Sequence, residues 1–287
     1  MGYGDDIMAT GIARAAVARV REVDGEDLKV AFGYHDPVGN KVHRHFSPVF
    51  AGNPFIVQPD EDYTKALVLL PEYPGSRFYI DYEQMRPDAQ GRYSHFVFRA
   101  DATAIRGEFF FSGAEDAAAE AATAKFPFRT ILLEPNVKLD GGGGKNKPWP
   151  EAYWVELVER LRRAGFESAQ VWHDGATVDL PVRKVETKTF REAAAVVRHF
   201  SLLVTTDGGL HHASAAVDGD AVVLWGHYSS PSLFGYPDHT NVRAAGYDGL
   251  GCGTILNRCA ECQRSMSELS PAAVAGTILS KLGADPT

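Results

Sequence analysis

The residues best able to do chemistry gather in three short segments of the chain. In the first, Asp207-Gly208-Gly209-Leu210-His211-His212 follows an apolar run and precedes a stretch of small residues. The pattern reads as strand, turn and helix. A glycine pair at a helix N-terminus lets a ligand reach bare backbone N–H groups, and the helix dipole favours an anion there. A phosphate or diphosphate suits such a place; the plainer alternative is a tight turn capped by Asp207. The second segment runs from Glu134-Pro135-Asn136 through a glycine loop at 141–144 to Lys145, Lys147 and Trp149-Pro150. Strand, flexible loop, two lysines and a helix start suggest another phosphate cradle, the alternative being a mobile surface loop. It is not a P-loop, because no Gly-Lys-Ser/Thr triplet opens the helix. The third is Gly4-Asp5-Asp6 ahead of a helix. A carboxylate there could act as general base toward a cleft, or simply cap the helix.

These segments need elements to position them. Short apolar runs alternate with helix-period stretches, the pattern of an α/β protein with parallel sheets. Strands are expected at 28–34, 65–70, 77–82 and 94–99, then at 130–134, 168–173, 182–187, 201–205 and 221–225. A first helix is expected at 7–20. Trp154, Leu157, Val158 and Leu161 make one apolar helical stripe, and Phe190, Ala194, Val197 and Phe200 another. The last helix opens with Ser270 as N-cap and Pro271 at its first position. The Ala/Glu-rich helix near 113–126 divides two α/β domains, 1–112 and 127–287.

Composition narrows the classes. Of 287 residues, 45% are hydrophobic and 23% charged, as in a soluble globular protein. The net charge of -8 disfavours a broad nucleic-acid-binding face. No run approaches the roughly 18 apolar residues of a membrane span, and Asp5 and Asp6 stand where a signal peptide is basic. A cytoplasmic protein is expected. Three cysteines cannot form a disulfide framework and suit a reducing compartment. Cys259 and Cys262 have a CxxC spacing used at metal sites, with Cys252 nearby; free thiols are the expected state.

Taken in order, the segments resemble the ADP-heptose:lipopolysaccharide heptosyltransferase family, inverting glycosyltransferases of the GT-B fold. Gly4-Asp5 with Thr10 is similar to the family's opening turn. Lys147-Pro148-Trp149-Pro150 is similar to its Lys-x-Trp-Pro element, and Asp207-Gly208-Gly209-Leu210-His211-His212 to its Asp-Ser/Thr-Gly-x-x-His turn. The stretch 47–54 and the cysteine-bearing tail before Met266 are similar to family segments too. Gly208 stands where the family has a hydroxyl residue, and Gly11 where it has proline. The resemblance implies two Rossmann-like domains facing across a cleft, the first shortened at its N-terminus for want of a strand before Gly4.

It further implies a nucleoside-diphosphate sugar donor, ADP-linked by preference, held by the second domain, and a hydroxyl acceptor held by the first. Asp5 would be the base, with Asp6 its rival. Lys147, with Lys145, would neutralise the departing diphosphate. The amides of Gly208, Gly209 and Leu210 would hold the phosphates, with Asp207 and His212 beside them. The lysines and amides would do the work that a divalent cation does elsewhere, so no metal and no cofactor is expected in catalysis. Nucleic acid is not an expected partner, whereas transient contact with a membrane surface is. The rival readings are a relative acting on a protein, a small molecule or modified phage nucleic acid, and a nucleotide-sugar-binding protein with impaired catalysis. Histidines at 35, 43 and 45 are read as a solvated loop.

Overall fold

The structure is a computed structural model that describes residues 2–35, 41–43, 46–69, 77–127, 129–139 and 143–284, with backbone alone for 34, 35 and 41–43. The expected histidine-rich stretch and part of the glycine loop lie outside the described residues and side chains.

The chain opens with α1 (Tyr3–Asp24), then β1 (Val30–His35), β2 (Lys41–His43) and β3 (Leu67–Leu69). β1 pairs antiparallel with β2 and parallel with β3 in a three-stranded sheet. Among the described residues, 77–82 and 94–99 are not strands. They meet at one isolated bridge, Ile80 with Phe98, where Asp81 N–H donates to Val97 O and Arg99 N–H to Tyr79 O, while His95 bridges to Thr254 instead. Their alternating pattern comes from tertiary packing instead. The Tyr79 and Phe98 rings press edge-on against Phe234, 4.7 and 5.9 Å away, and residues 77–79 form a turn.

The helix α2 (Gly113–Thr123) is set off by a capping box, Ser112 with Glu115. Beyond it come β4 (Ile131–Glu134), α3 (Glu151–Arg163), β5 (Ser168–Trp172), β6 (Arg183–Glu186), α4 (Phe190–Val197), β7 (Leu202–Thr206) and α5 (Gly209–Ala216). The chain continues through β8 (Ala221–Trp225), α6 (Pro231–Phe234), β9 (Thr240–Arg243), α7 (Ala260–Glu268) and α8 (Pro271–Lys281). β4 to β9 form one parallel sheet in the order β6-β5-β4-β7-β8-β9. That is the doubly wound order 3-2-1-4-5-6, with its switch point between β4 and β7. Ligands of such sheets bind at the strand C-terminal ends beside the switch point, where Glu134 and Asp207 stand.

The centre of the sheet, β4, β7 and β8, is buried along its whole length because both faces are covered, whereas the edge strands β6 and β9 are polar and part-exposed. On one face Ile131, Leu133 and Val204 pack with the expected stripe of α3 and with Ile278 of α8. On the other, Leu132, Val171, Ala213 and Trp225 share a core with Ile7, Met8, Phe32 and Phe50 of the first half. The two halves are therefore one packed body along that face. Arg191 of α4 fastens them: its guanidinium donates to the carbonyls of Pro48, Ala51 and Phe110 and makes two bonds to Glu115.

Candidate active site

Lys147 is placed from two sides. Two residues on, Trp149 is buried, donates its Nε1–H to Leu269 O at 2.9 Å and stands edge-on to Trp154. On the other side Gly143 has φ +78°, a conformation most side chains avoid, and lies against the Tyr228 ring. The Lys147 ammonium sits 4.9 Å from the centroid of that ring and 2.8 Å from Asp207 Oδ2. Lys145 is exposed on the intervening turn.

Asp207 does not cap α5. The N-cap is Gly208, with no side-chain capping bond, and the Asp207 carboxylate turns instead to Lys147 and to Ser229 Oγ–H, which donates at 2.5 Å. Burial raises the cost of its charge, but the Lys147 ammonium and these hydrogen bonds outweigh that and hold its pKa below the usual carboxylate value. The first amides of α5 have no intrahelical partner by helix geometry, which leaves an anion seat at the end of β7. Gly208 is open there. A Cβ on Gly209 would lie 3.1 Å from the Phe190 ring, which stacks on Tyr3 at 4.2 Å.

The opening segment arrives at the same place. Gly4 and Asp5 lie inside the first turn of α1 rather than on a turn before it. A Cβ on Gly4 would stand 2.6 Å from His212 Cδ2, so only glycine lets α1 seat so close to α5. Tyr79 O–H donates to Asp5 Oδ1, and Arg77 Nε–H donates to Oδ2 at 3.3 Å, where the Gly2 N–H also donates. Burial and the nearby Asp5 charge push the Tyr79 phenol up, so it stays a donor.

His212 bonds Tyr236 O–H through Nδ1 at 2.8 Å; burial drives its pKa down to about 4, although Asp207 and Asp5 both pull it up. His211 is wholly buried with neither ring nitrogen hydrogen-bonded, and burial keeps it neutral. Asp6 is 3% exposed, on the buried side of α1. Thr10 is fully buried; its hydroxyl donates to Ile7 O and accepts from Glu108 N–H at 2.7 Å, which leaves it no surface for a ligand in this conformation.

Sequence patterning did not single out Arg77, Tyr79, Tyr228, Ser229 or a role for Glu134. Arg77 and Tyr79 carried a usable signal, since residues two apart share a face in the extended segment expected there. Glu134 ends β4 with its carboxyl raised by burial to about 8, against the lowering effect of Asn136, whose N–H donates to it at 2.7 Å.

The sequence profile of glycosyltransferase family 9 (heptosyltransferase) matches residues 113–260, just over half of the 287. The chain belongs to that family. Lipopolysaccharide heptosyltransferase 1 of Pseudomonas aeruginosa is 33% identical over 102 residues, covering 31% of this chain and 28% of that protein. Escherichia coli ADP-heptose lps heptosyltransferase II is similar in structure at 18% identity and a TM-score of 0.46, over 62% of this chain and 54% of the other. E. coli heptosyltransferase WaaC, solved with ADP-2-deoxy-2-fluoro heptose, follows at 20% identity and 0.39, over 62% and 52%. This family 9 chain spans about half the length of those solved structures. The α/β, GT-B reading of its sequence agrees with the membership.

Proposed function

We propose that this family 9 chain transfers a heptose-like sugar, with inversion, from a nucleoside-diphosphate donor to an acceptor hydroxyl, the adenosine-linked donor being favoured. The observation that carries the reading is the seating of Gly4 against His212, which brings the first turn of α1, and Asp5 with it, toward an anion seat built from Lys147 and the start of α5. The acceptor oxygen attacks the anomeric carbon on the face opposite the diphosphate, and the bond from that carbon to the phosphate oxygen breaks. Asp5 takes the hydroxyl proton. Of its two oxygens Oδ2 already accepts from Arg77 and Gly2, so Oδ1, bonded only to Tyr79, is the basic atom. Asp5 is preferred to Asp6 because its carboxylate is 12% exposed with Arg77 and Tyr79 beside it, whereas Asp6 is 3% exposed on the buried side of α1.

Lys147 and the amides of Gly208, Gly209 and Leu210 take up the charge of the departing diphosphate, and that step needs no metal. Residues 1–112 serve the acceptor and 127–287 the donor, with 113–126 between them. Among the described residues no helix is long and apolar enough to cross a membrane. The reading places the reaction in the cytoplasm, with passing contact at a membrane surface for a lipid-linked acceptor.

A thermal-shift screen of ADP-, UDP-, GDP- and dTDP-sugars tests this. An ADP-sugar should raise the unfolding temperature of the wild type and not of a Gly208→Val variant. If no nucleotide sugar stabilises the wild type, the reading is wrong.

A further inference from the structure

Cys252, Cys259 and Cys262 take no part in the chemistry above, yet the fold gathers them. Their sulfurs all lie within 4.8 Å of one another, and Cys252 Sγ is 3.1 Å from Cys262 Sγ. They reach that point from two directions. Cys252 lies on the irregular return from β9, where its N–H donates to His227 O at 2.8 Å. Cys259 is the N-cap of α7, and Cys262 lies in the first turn of that helix with no exposed surface.

We propose that these three thiolates bind one soft divalent metal ion, zinc or iron(II), as a structural clasp. Tetrahedral thiolate sites have metal–sulfur distances of about 2.3 Å, which sets neighbouring sulfurs about 3.8 Å apart. The cluster brackets that separation. Two cysteines in a CxxC at a helix start and a third from a facing loop is a common way to build such a site. A disulfide would use two of the sulfurs and give no reason for the third to converge. Among the described residues the convergent group is these three sulfurs, which leaves the fourth tetrahedral position to a water.

The surroundings show what a clasp would hold. Asn146, the neighbour of Lys147, accepts from Cys259 N–H at 2.7 Å and donates to Thr254 O and Asn257 O, each at 3.0 Å. From the other side Phe96 N–H donates to Gly253 O and Ile255 N–H to Ser94 O, each at 2.8 Å. The loop 252–262 thus bridges the first half of the chain to the residue beside Lys147. An ion closing its two ends fixes that bridge.

The test needs no enzyme assay. The full chain, purified under reducing conditions with zinc or ferrous iron supplied, should carry a single ion per molecule by inductively coupled plasma mass spectrometry. Titration with an organomercurial should release the ion in step with thiol modification. Stripping the wild type with a chelator should speed alkylation of all three cysteines and lower the unfolding temperature, and re-adding the ion should reverse both. Cys259→Ser and Cys262→Ser should lose the ion, while Lys147→Ala should keep it. Metal-free protein whose alkylation rates do not respond to added zinc or iron, or a Cys252–Cys262 disulfide in the reduced preparation, would overturn the proposal.

Discussion

Lys147 Nζ stands 2.8 Å from Asp207 Oδ2, an ion pair that joins the loop after β4 to the turn after β7 across the switch point of the sheet. With side chains 18% and 7% exposed, the pair is largely out of water, so each charge depends on the other. Lys147→Ala leaves Asp207 buried and unpaired. We expect a loss of about 3–5 kcal/mol in urea unfolding at neutral pH, together with loss of donor binding by calorimetry. The double variant Lys147→Met, Asp207→Leu should recover much of the stability and none of the binding. Equal stability in the single and double variants would contradict a coupled pair.

Asp5→Asn keeps the size and the Tyr79 contact but removes the basic oxygen. Turnover should fall on the order of 10²–10⁴-fold, with donor affinity little changed. Tyr79→Phe should cost less and move the pH profile of turnover, because it alters the surroundings of Oδ1 without removing it. An Asp5→Asn protein with wild-type turnover would take the base role away from that residue.

Two sets of buried groups give stability opposite slopes with pH. His212 and His239 have folded pKa values near 4, mainly through burial, below the usual 6.5 of histidine. The unfolded chain takes up those protons first, so stability present above pH 6.5 is lost as the pH falls toward 4. Glu134 works the other way. Its folded pKa of about 8 exceeds the unfolded 4.5, so the unfolded chain releases that proton first and stability drops as pH rises from 4.5 to 8. The sum peaks near pH 6.5. Glu134→Gln keeps the acceptor for Asn136 and should add about 3–5 kcal/mol at pH 8 and almost nothing at pH 4. Chemical denaturation at several pH values measures it, and a gain independent of pH would contradict the assignment.

Arg191→Ala removes five hydrogen bonds that tie α4 to 48–51, Phe110 and Glu115. A loss of about 1–3 kcal/mol is expected, since part-buried carbonyls and a carboxylate lose the donor they share. Arg191→Lys should recover little, because an ammonium cannot reproduce the planar fork. The unfolding endotherm should broaden or split as the halves uncouple. A single sharp transition at the wild-type temperature would show that Arg191 is not the fastener.

Of the large sheet, β4, β7 and β8 were legible because parallel strands buried on both faces read as plain apolar runs, while β5 and the polar edge strand β6 were placed by their spacing between helical stretches. β9 was not. Thr240-Asn241-Val242-Arg243 is a half-exposed edge whose polar residues break the run. In the first half the expected strands at 77–82 and 94–99 misled, since their aromatic residues answer to Phe234 and Asp5 rather than to a neighbouring strand. The candidate residues Asp5, Lys147, Asp207 and His212 were singled out by their order along the chain, and the structure draws Lys147 to Asp207 and the start of α1 to His212. Their supports, Tyr79, Ser229 and Arg191, were not, because a hydroxyl or guanidinium reaching across a fold leaves no period in the sequence.

The apolar core shared by α1 and the large sheet has a consequence for how a substrate could enter. Swinging the halves apart would hydrate Ile7, Met8 and their partners, at about 2.5 kcal/mol for each 100 Å² of apolar surface exposed. The resting population therefore stays shut. Access to Asp5 must come from rearrangement around Tyr3, Arg77 and the 143–147 turn, a small gate at the rim rather than a hinge through the centre.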